Sequence, residues 1–207
     1  FHVVIAEQQT MGKGRLGKNW SSPSSGNVYM SIYSKELPKN IPLSLIVGLI
    51  CAKTLNSMIK NDSIGLKWPN DMLLDKKKIG GILVEKEAMG KDINNIVGIG
   101  INLNHPEKED WWGDLHKFGI HLRRDELINK LLHSYIKFYD NGISDWRDLW
   151  HKYCVHLNHE IKIKHNNNII NEGIFLGINA DGSLNLKIND NEEIKYEHGE
   201  ISIEGIY

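Results

Sequence analysis

The sequence predicts an α+β chain: a mixed or antiparallel sheet with helices on one side, followed by a small all-β tail. Three observations carry this. Short β-branched or aromatic runs bounded by Gly, Ser and Pro occupy 2–7, 28–34, 64–68, 79–85 and 96–103. Their close spacing suits antiparallel or mixed pairing rather than long crossovers. A helical stripe interrupts them at 43–59, and the chain after about His156 is strand and turn throughout.

Each element follows from local pattern. The chain opens on Phe1 and the apolar run His2-Val3-Val4-Ile5-Ala6, a strand with neither an initiator Met nor a leading turn, so it reads as a fragment whose N-terminal part lies outside this sequence. A polar, glycine-rich loop separates it from Val28–Ser34. Between Leu43 and Ile59, Leu45, Ile46, Leu49, Ile50, Leu55 and Ile59 recur at three- and four-residue steps, a helix with a broad buried face that also takes Cys51 and Ala52. After Gly119 a second stripe runs through Leu127, Ile128, Leu131, Leu132, Tyr135 and Phe138 until Asn141-Gly142 stops it. A third, short helix from about Ser144 to Tyr153 places Trp146, Leu149 and Trp150 at helical spacing. The tail runs Ile161–Lys164, Gly173–Ile178, Leu184–Ile188, Ile194–Tyr196 and Ile201–Ile203 are separated by turn signals at Asn166-Asn167-Asn168, Asp181-Gly182 and Asp190-Asn191. Short strands this close together predict a small barrel. The expected organisation is a ligand-binding unit over 1–156 and a small β unit over 157–207.

Composition narrows the function. The 207 residues are 41% hydrophobic and 25% charged, enough apolar material for a sizeable core. With 25 Lys+Arg against 26 Asp+Glu, nothing in the bulk charge advertises a nucleic-acid surface, so any phosphate site is local. The tail, poor in Lys and rich in Asp and Glu, is a poor nucleic-acid barrel. Cys51 and Cys154 lack metal or disulfide spacing, and no run reaches the eighteen or so apolar residues of a membrane span, so the expected location is the cytoplasm. His156, His159 and His165 lack ligand spacing and are expected at the surface or on strands.

The chemistry concentrates in three segments. Gly12-Lys13-Gly14-Arg15-Leu16-Gly17-Lys18-Asn19-Trp20 follows a strand, and its glycines free the backbone to wrap a ligand while Lys13, Arg15 and Lys18 bring cations for a phosphate or carboxylate. The loop is neither a Walker A loop nor a dinucleotide fingerprint, and alone it reads as a solvated basic turn. Lys67-Trp68-Pro69-Asn70-Asp71 comes next with Lys78-Ile79-Gly80-Gly81-Ile82-Leu83-Val84-Glu85, and then Gly98-Ile99-Gly100-Ile101-Asn102-Leu103-Asn104.

In this order and spacing the segments resemble the biotin–protein ligases, in which a G-R-G-R-x-G-R-x-W loop, K-W-P-N-D, a K-x-x-G-I-L-V-E strand and a G-I-G-I-N strand follow one another. The match extends to Gly199-Glu200-Ile201-Ser202, similar to the closing motif of the family's small C-terminal barrel. The resemblance implies a class II synthetase-like catalytic unit with a C-terminal SH3-like barrel. It implies a ligase that makes biotinyl-5'-adenylate from biotin and ATP with Mg²⁺, then passes biotin to a lysine of a biotin carboxyl carrier domain. A homodimer is compatible with it.

Carried over residue by residue, the resemblance makes Lys78 and Arg15 catalytic. Gln9, Gly12, Lys13, Trp20, Lys78 and Gly81 are expected to bind biotin, with Gln9 on the ureido group. Arg15, Leu16, Gly17, Asn102 and Trp112 are expected to bind ATP or the adenylate, with Trp112 beside adenine. The Mg²⁺ ligand stays unassigned. Lys13 stands where the family has arginine, which keeps the charge and loses the planar fork. The family's upstream Ser/Thr-Thr-Asn segment is not in this sequence, so part of the biotin pocket is expected to lie outside it. Trp20 reads equally as core; for Trp111 a core position stands close behind a place beside adenine; Asn70 and Asp71 read as holding the basic loop or a metal, although a turn carboxylate is usually structural. The competing readings are a lipoate-type ligase or acyltransferase of the same fold, and a biotin-responsive repressor if a DNA-binding segment precedes this sequence.

Overall fold

The computed structural model describes residues 1–35, 41–89, 92–106, 109–166, 168–197 and 201–205. Eleven strands and three α-helices are defined among them. The first sheet has the order β1-β2-β6-β5-β4-β3 and is antiparallel throughout. Its strands are β1 (His2–Ala6), β2 (Val28–Lys35), β3 (Ile64–Lys67), β4 (Asp71–Leu74), β5 (Lys77–Met89) and β6 (Asp92–Ile101). The predicted runs are all present. β4 was not foreseen, because four residues between two motifs give too short a pattern to separate from a turn.

Helix α1 (Leu43–Ile59) coincides with the predicted stripe and packs on β3, β4 and β5. It is more enclosed than the stripe implied, with Val47, Gly48, Thr54 and Asn56 buried as well. Its end is set by Lys60 in the left-handed region (φ 55), whose N–H reaches the Asn56 carbonyl. Buried Asn56 then clasps the first residue of β3, accepting from Ile64 N at 2.9 Å and donating to Ile64 O at 3.0 Å. A side-chain amide thus fixes where β3 starts, and with it the height of Lys67. Helices α2 (Arg124–Asn141) and α3 (Trp146–Tyr153) pack on α1.

The tail forms β7 (Glu160–His165), β8 (Asn168–Ile178), β9 (Leu184–Asn189), β10 (Glu192–Tyr196) and β11 (Ile201–Glu204), a five-stranded antiparallel sheet of order β10-β9-β8-β7-β11. β8 begins at Asn168, inside the predicted Asn-rich turn; Asn167 lies outside the described residues, as do Gly199 and Glu200 of the closing motif. One apolar cluster runs through both sheets, with Trp150 of α3 6.5 Å from the ring of Phe175 in β8. Trp68, fully buried after β3, donates its indole N–H to Gly182 O at 2.9 Å. His156 is the exception to its expected surface position. It is wholly buried with its ring 5.9 Å from Phe175, and burial pushes its pKa down to about 3, so it is neutral.

Candidate functional site

The loop after β1 closes on itself. Gly14 N donates to Lys18 O at 2.6 Å, Trp20 N to Gly12 O at 2.9 Å, and Lys13 bridges antiparallel to Asn19. A Cβ on Gly12 would stand 2.3 Å from Trp20 O, so the turn needs glycine there for close approach. At the tip Leu16 and Gly17 have φ of 55 and 70, a left-handed pair that only the glycine adopts without strain. Gln9 is tied to the returning chain: its N–H meets Ser22 O at 3.0 Å, and its Oε1 accepts from Ser22 Oγ at 2.7 Å.

This loop borders a cavity of about 1170 Å³ whose floor is the middle of the first sheet. Strand alternation builds that floor. A Cβ on Gly80 would meet Met72 of the core at 2.6 Å, whereas one on Gly81 would meet Trp20 at 3.2 Å, on the cavity side. Gly81 pairs with Gly100 across β5 and β6, and a Cβ on Gly100 would lie 2.6 Å from the Trp20 ring. Two facing glycines therefore make room for the Trp20 indole against the sheet.

Lys78 enters the same space from the start of β5. Its Nζ is 2.7 Å from Asp71 Oδ1, 5.2 Å from the Trp20 ring centroid and 5.8 Å from that of Trp111. Arg15 reaches across from the loop, with Nη2 3.3 Å from the Ile201 carbonyl of β11. Its burial lowers its pKa, opposed by the Asp71 carboxylate. Lys67 is more affected. Burial brings its pKa down to about 8; Asp71 and Glu204 pull it up, and Lys78 and Lys18 push it further down. Lysine and arginine side chains outnumber the carboxylates of Asp71, Asp75, Glu85, Asp110 and Glu204 in the cavity wall, an excess of positive charge suited to a phosphate-bearing ligand.

Of the sequence-predicted residues, Gln9, Lys13, Arg15, Leu16, Trp20, Lys78, Gly81, Asn102 and Trp112 line this one cavity. Gly12 and Gly17 belong to the loop but not to the wall. Asn102 is buried at the end of β6, its Nδ2 donating to Gly113 O at 3.0 Å and its Oδ1 without a hydrogen-bond partner among the described residues. Trp112 is half-buried, edge-on to His105 at 5.1 Å. Trp111 is not core: it is 54% exposed and faces the cavity, because its loop, not a helix or strand, carries it. Asn70 does not hold the basic loop; its side chain donates to Ile82 O at 2.9 Å and so fixes the turn against β5. Asp71 pairs with Lys78.

Lys18, read as a loop cation, and Ser202 of the closing motif also line the cavity, together with Lys67, Lys164 and Glu204, which carried no assignment from the sequence. Lys67 had a signal, its place in the Lys67–Asp71 segment. Lys164 and Glu204 had none, since polar residues alternating along a tail strand look solvated.

Residues 2–102 match a family model described as the biotin/lipoate A/B protein ligase family, and 156–203 match the biotin protein ligase C terminal domain. The chain is 33% identical over 202 residues to the bifunctional ligase/repressor BirA of Escherichia coli strain K12, covering 89% of this chain and 61% of that protein's length. It is 32% identical over 181 residues to the human biotin–protein ligase, 78% of this chain and 25% of that one. Among solved structures, the Aquifex aeolicus biotin protein ligase in complex with biotin and ATP superposes with a TM-score of 0.81 at 28% identity, over 99% of this chain and 89% of that one.

Proposed function

The chain belongs to the biotin/lipoate A/B protein ligase family, and on that premise we propose that it activates biotin with ATP and transfers it to a lysine of a biotin carboxyl carrier domain. The observation that carries this reading is the single cavity that joins the basic loop, Lys78 and the Trp20-covered glycine floor. A carboxylate must approach a polyphosphate there, so the chemistry is one of positioning and charge neutralisation. A biotin carboxylate oxygen attacks the α-phosphorus and pyrophosphate leaves. The acceptor amine then attacks the anhydride carbonyl, loses its proton, and AMP leaves.

In this scheme Lys78 neutralises the carboxylate and α-phosphate oxygens, where charge develops in both steps, while Arg15 and Lys13 hold the phosphates and the carboxylate end. Trp20 walls the apolar slot for the ring and chain of biotin. Because Ser22 occupies the Gln9 carbonyl oxygen, the Gln9 amide N–H groups are left for a ureido carbonyl. Trp112 offers a ring to adenine.

Mg²⁺ fits the donor set. Among the described residues no group of three His, Cys, Asp or Glu converges, whereas the unpartnered Asn102 Oδ1 and the Asp71 carboxylate are hard oxygens on the cavity wall. One or two protein oxygens with phosphates completing the shell is the usual Mg²⁺ arrangement. Asp71 and Asn102 would hold the ion, which would supply further neutralisation of the phosphates.

The division into 1–156 and 157–207 is part of the proposal, supported by the change from helix-backed sheet to all-β sheet after α3. A cytosolic location is supported by two free cysteines; no helix among the described residues is long and apolar enough to cross a membrane. A homodimer has a candidate surface in the β1 edge, where Val3, Val4 and Ile5 are exposed. The E. coli relative is named a repressor as well as a ligase, yet the segments matched here are those of the ligase models. The test is pyrophosphate release from ATP with biotin or lipoate supplied. Release with biotin and little with lipoate is expected, and equal release with both would overturn the choice of acyl group.

A further inference from the structure

Trp111 has no role in the scheme above, yet the fold spends several contacts on placing it. We propose that Trp111 is a positioning residue for Lys78, the second wall of an aromatic clamp that holds the ammonium towards the reacting oxygens. The proposal rests on the reading of Lys78 given under the proposed function.

The backbone ties the two residues together first. Lys78 N donates to Trp111 O and Gly113 N donates to Lys78 O, both at 2.9 Å, so a short stretch of loop is tied alongside the start of β5 by a parallel bridge. Neighbouring contacts reinforce it. Lys77 Nζ donates to Asp110 O, and Asn102 Nδ2 holds Gly113 O. Gly113 permits the approach, since a Cβ there would come 2.7 Å from the Lys77 Cβ. A large apolar ring 54% exposed on a segment tied down this firmly is not explained by burial.

The side chains supply the reason. The Lys78 ammonium is 5.2 Å from the Trp20 ring and 5.8 Å from the Trp111 ring, within cation–π range of both, and Asp71 takes it at 2.7 Å. A carboxylate holds an ammonium by consuming an N–H donor. An indole face attracts the charge without consuming one. Two rings and one carboxylate therefore restrict a flexible side chain while leaving N–H groups for ligand oxygens. Trp112, the candidate adenine platform, is the next residue, with its ring 5.4 Å from that of Trp111. Nucleotide docking on Trp112 then steadies the same short segment that holds Lys78.

The experiment compares Trp111→Ala, Trp111→Leu and Trp111→Phe in biotin-dependent pyrophosphate exchange, alone and in the Lys78→Ala background. Biotin affinity is measured separately by calorimetry. Wild-type exchange is established first, because its absence would sink the ligase reading itself and not the clamp. Loss of one cation–π contact predicts a kcat lower by about three- to thirty-fold for Ala, with biotin affinity within about two-fold. Phe should restore most of the rate and Leu little, and with Lys78→Ala the Trp111 substitution should cost nothing further. Rescue by Leu equal to that by Phe would mean bulk packing and overturn the proposal. So would a raised KM for ATP at unchanged kcat, which would make Trp111 a nucleotide contact.

Discussion

Lys67 shows at the level of one side chain how this site trades stability for ligand charge. Its ammonium is enclosed at the end of β3 and its pKa falls to about 8, with burial the leading cause. An unfolded lysine titrates near about 10.4. The folded-state pKa is therefore depressed for a base, and the unfolded chain binds more protons than the folded one between these values. Stability should rise with pH through that window, the burial penalty being full below about 8 and gone above about 10.4. Urea midpoints of the protein and of Lys67→Met, taken from pH 7 to pH 10, should converge as the pH rises. A gap between them that does not change with pH would mean the ammonium is well solvated. A confined cation of this kind is relieved by an anion, so its presence in the cavity wall agrees with a phosphate-bearing substrate.

The loop at 11–20 carries Lys13 and Arg15, proposed above to hold the phosphates, and two forces oppose within it. Backbone hydrogen bonds close it at Gly14–Lys18 and Gly12–Trp20, while Lys13, Arg15 and Lys18 repel one another until a phosphate arrives. Leu16 at its tip and Met11 at its start are 52% and 85% exposed, so these apolar side chains do not resist opening. Trypsin should cut after Lys13, Arg15 or Lys18 readily in the free protein and much more slowly with biotin and ATP at saturation. Equal rates under both conditions would mean a loop that is rigid from the start.

Elements were legible where sequence distance is short. The stripe of α1, the strands flanking the glycine loop and the five tail strands all show in local period. β4 did not, for want of length, and the exposure of Trp111 and the burial of His156 did not, because local pattern cannot say what a loop residue packs against. Gln9, Arg15, Lys78 and Trp112, singled out through the family resemblance, line one cavity. Lys164 and Glu204 reach the cavity wall from β7 and β11, far in sequence from the loop and β5 on its other sides, a placement that leaves no local trace.

At the scale of the whole molecule, the two sheets enclose one cavity and share one core. The tail contributes both to the wall and to the support of the loop, through the Ile201 carbonyl that receives Arg15 and through Lys164 and Glu204, which pair at the cavity edge. Trp68 locks the turn between β3 and β4 to Gly182 of the second sheet. Adenylate formation and transfer should thus depend on residues from both sheets converging around Lys78. The direct measurement is ATP-dependent transfer of labelled biotin to a biotin carboxyl carrier domain by the protein and by Lys78→Ala. The protein should label the carrier lysine, and Lys78→Ala should slow labelling by about 10²- to 10³-fold, as for other oriented groups that stabilise developing charge, while binding biotin almost as well. Labelling by Lys78→Ala at the rate of the unaltered protein, or none by either, would contradict the account.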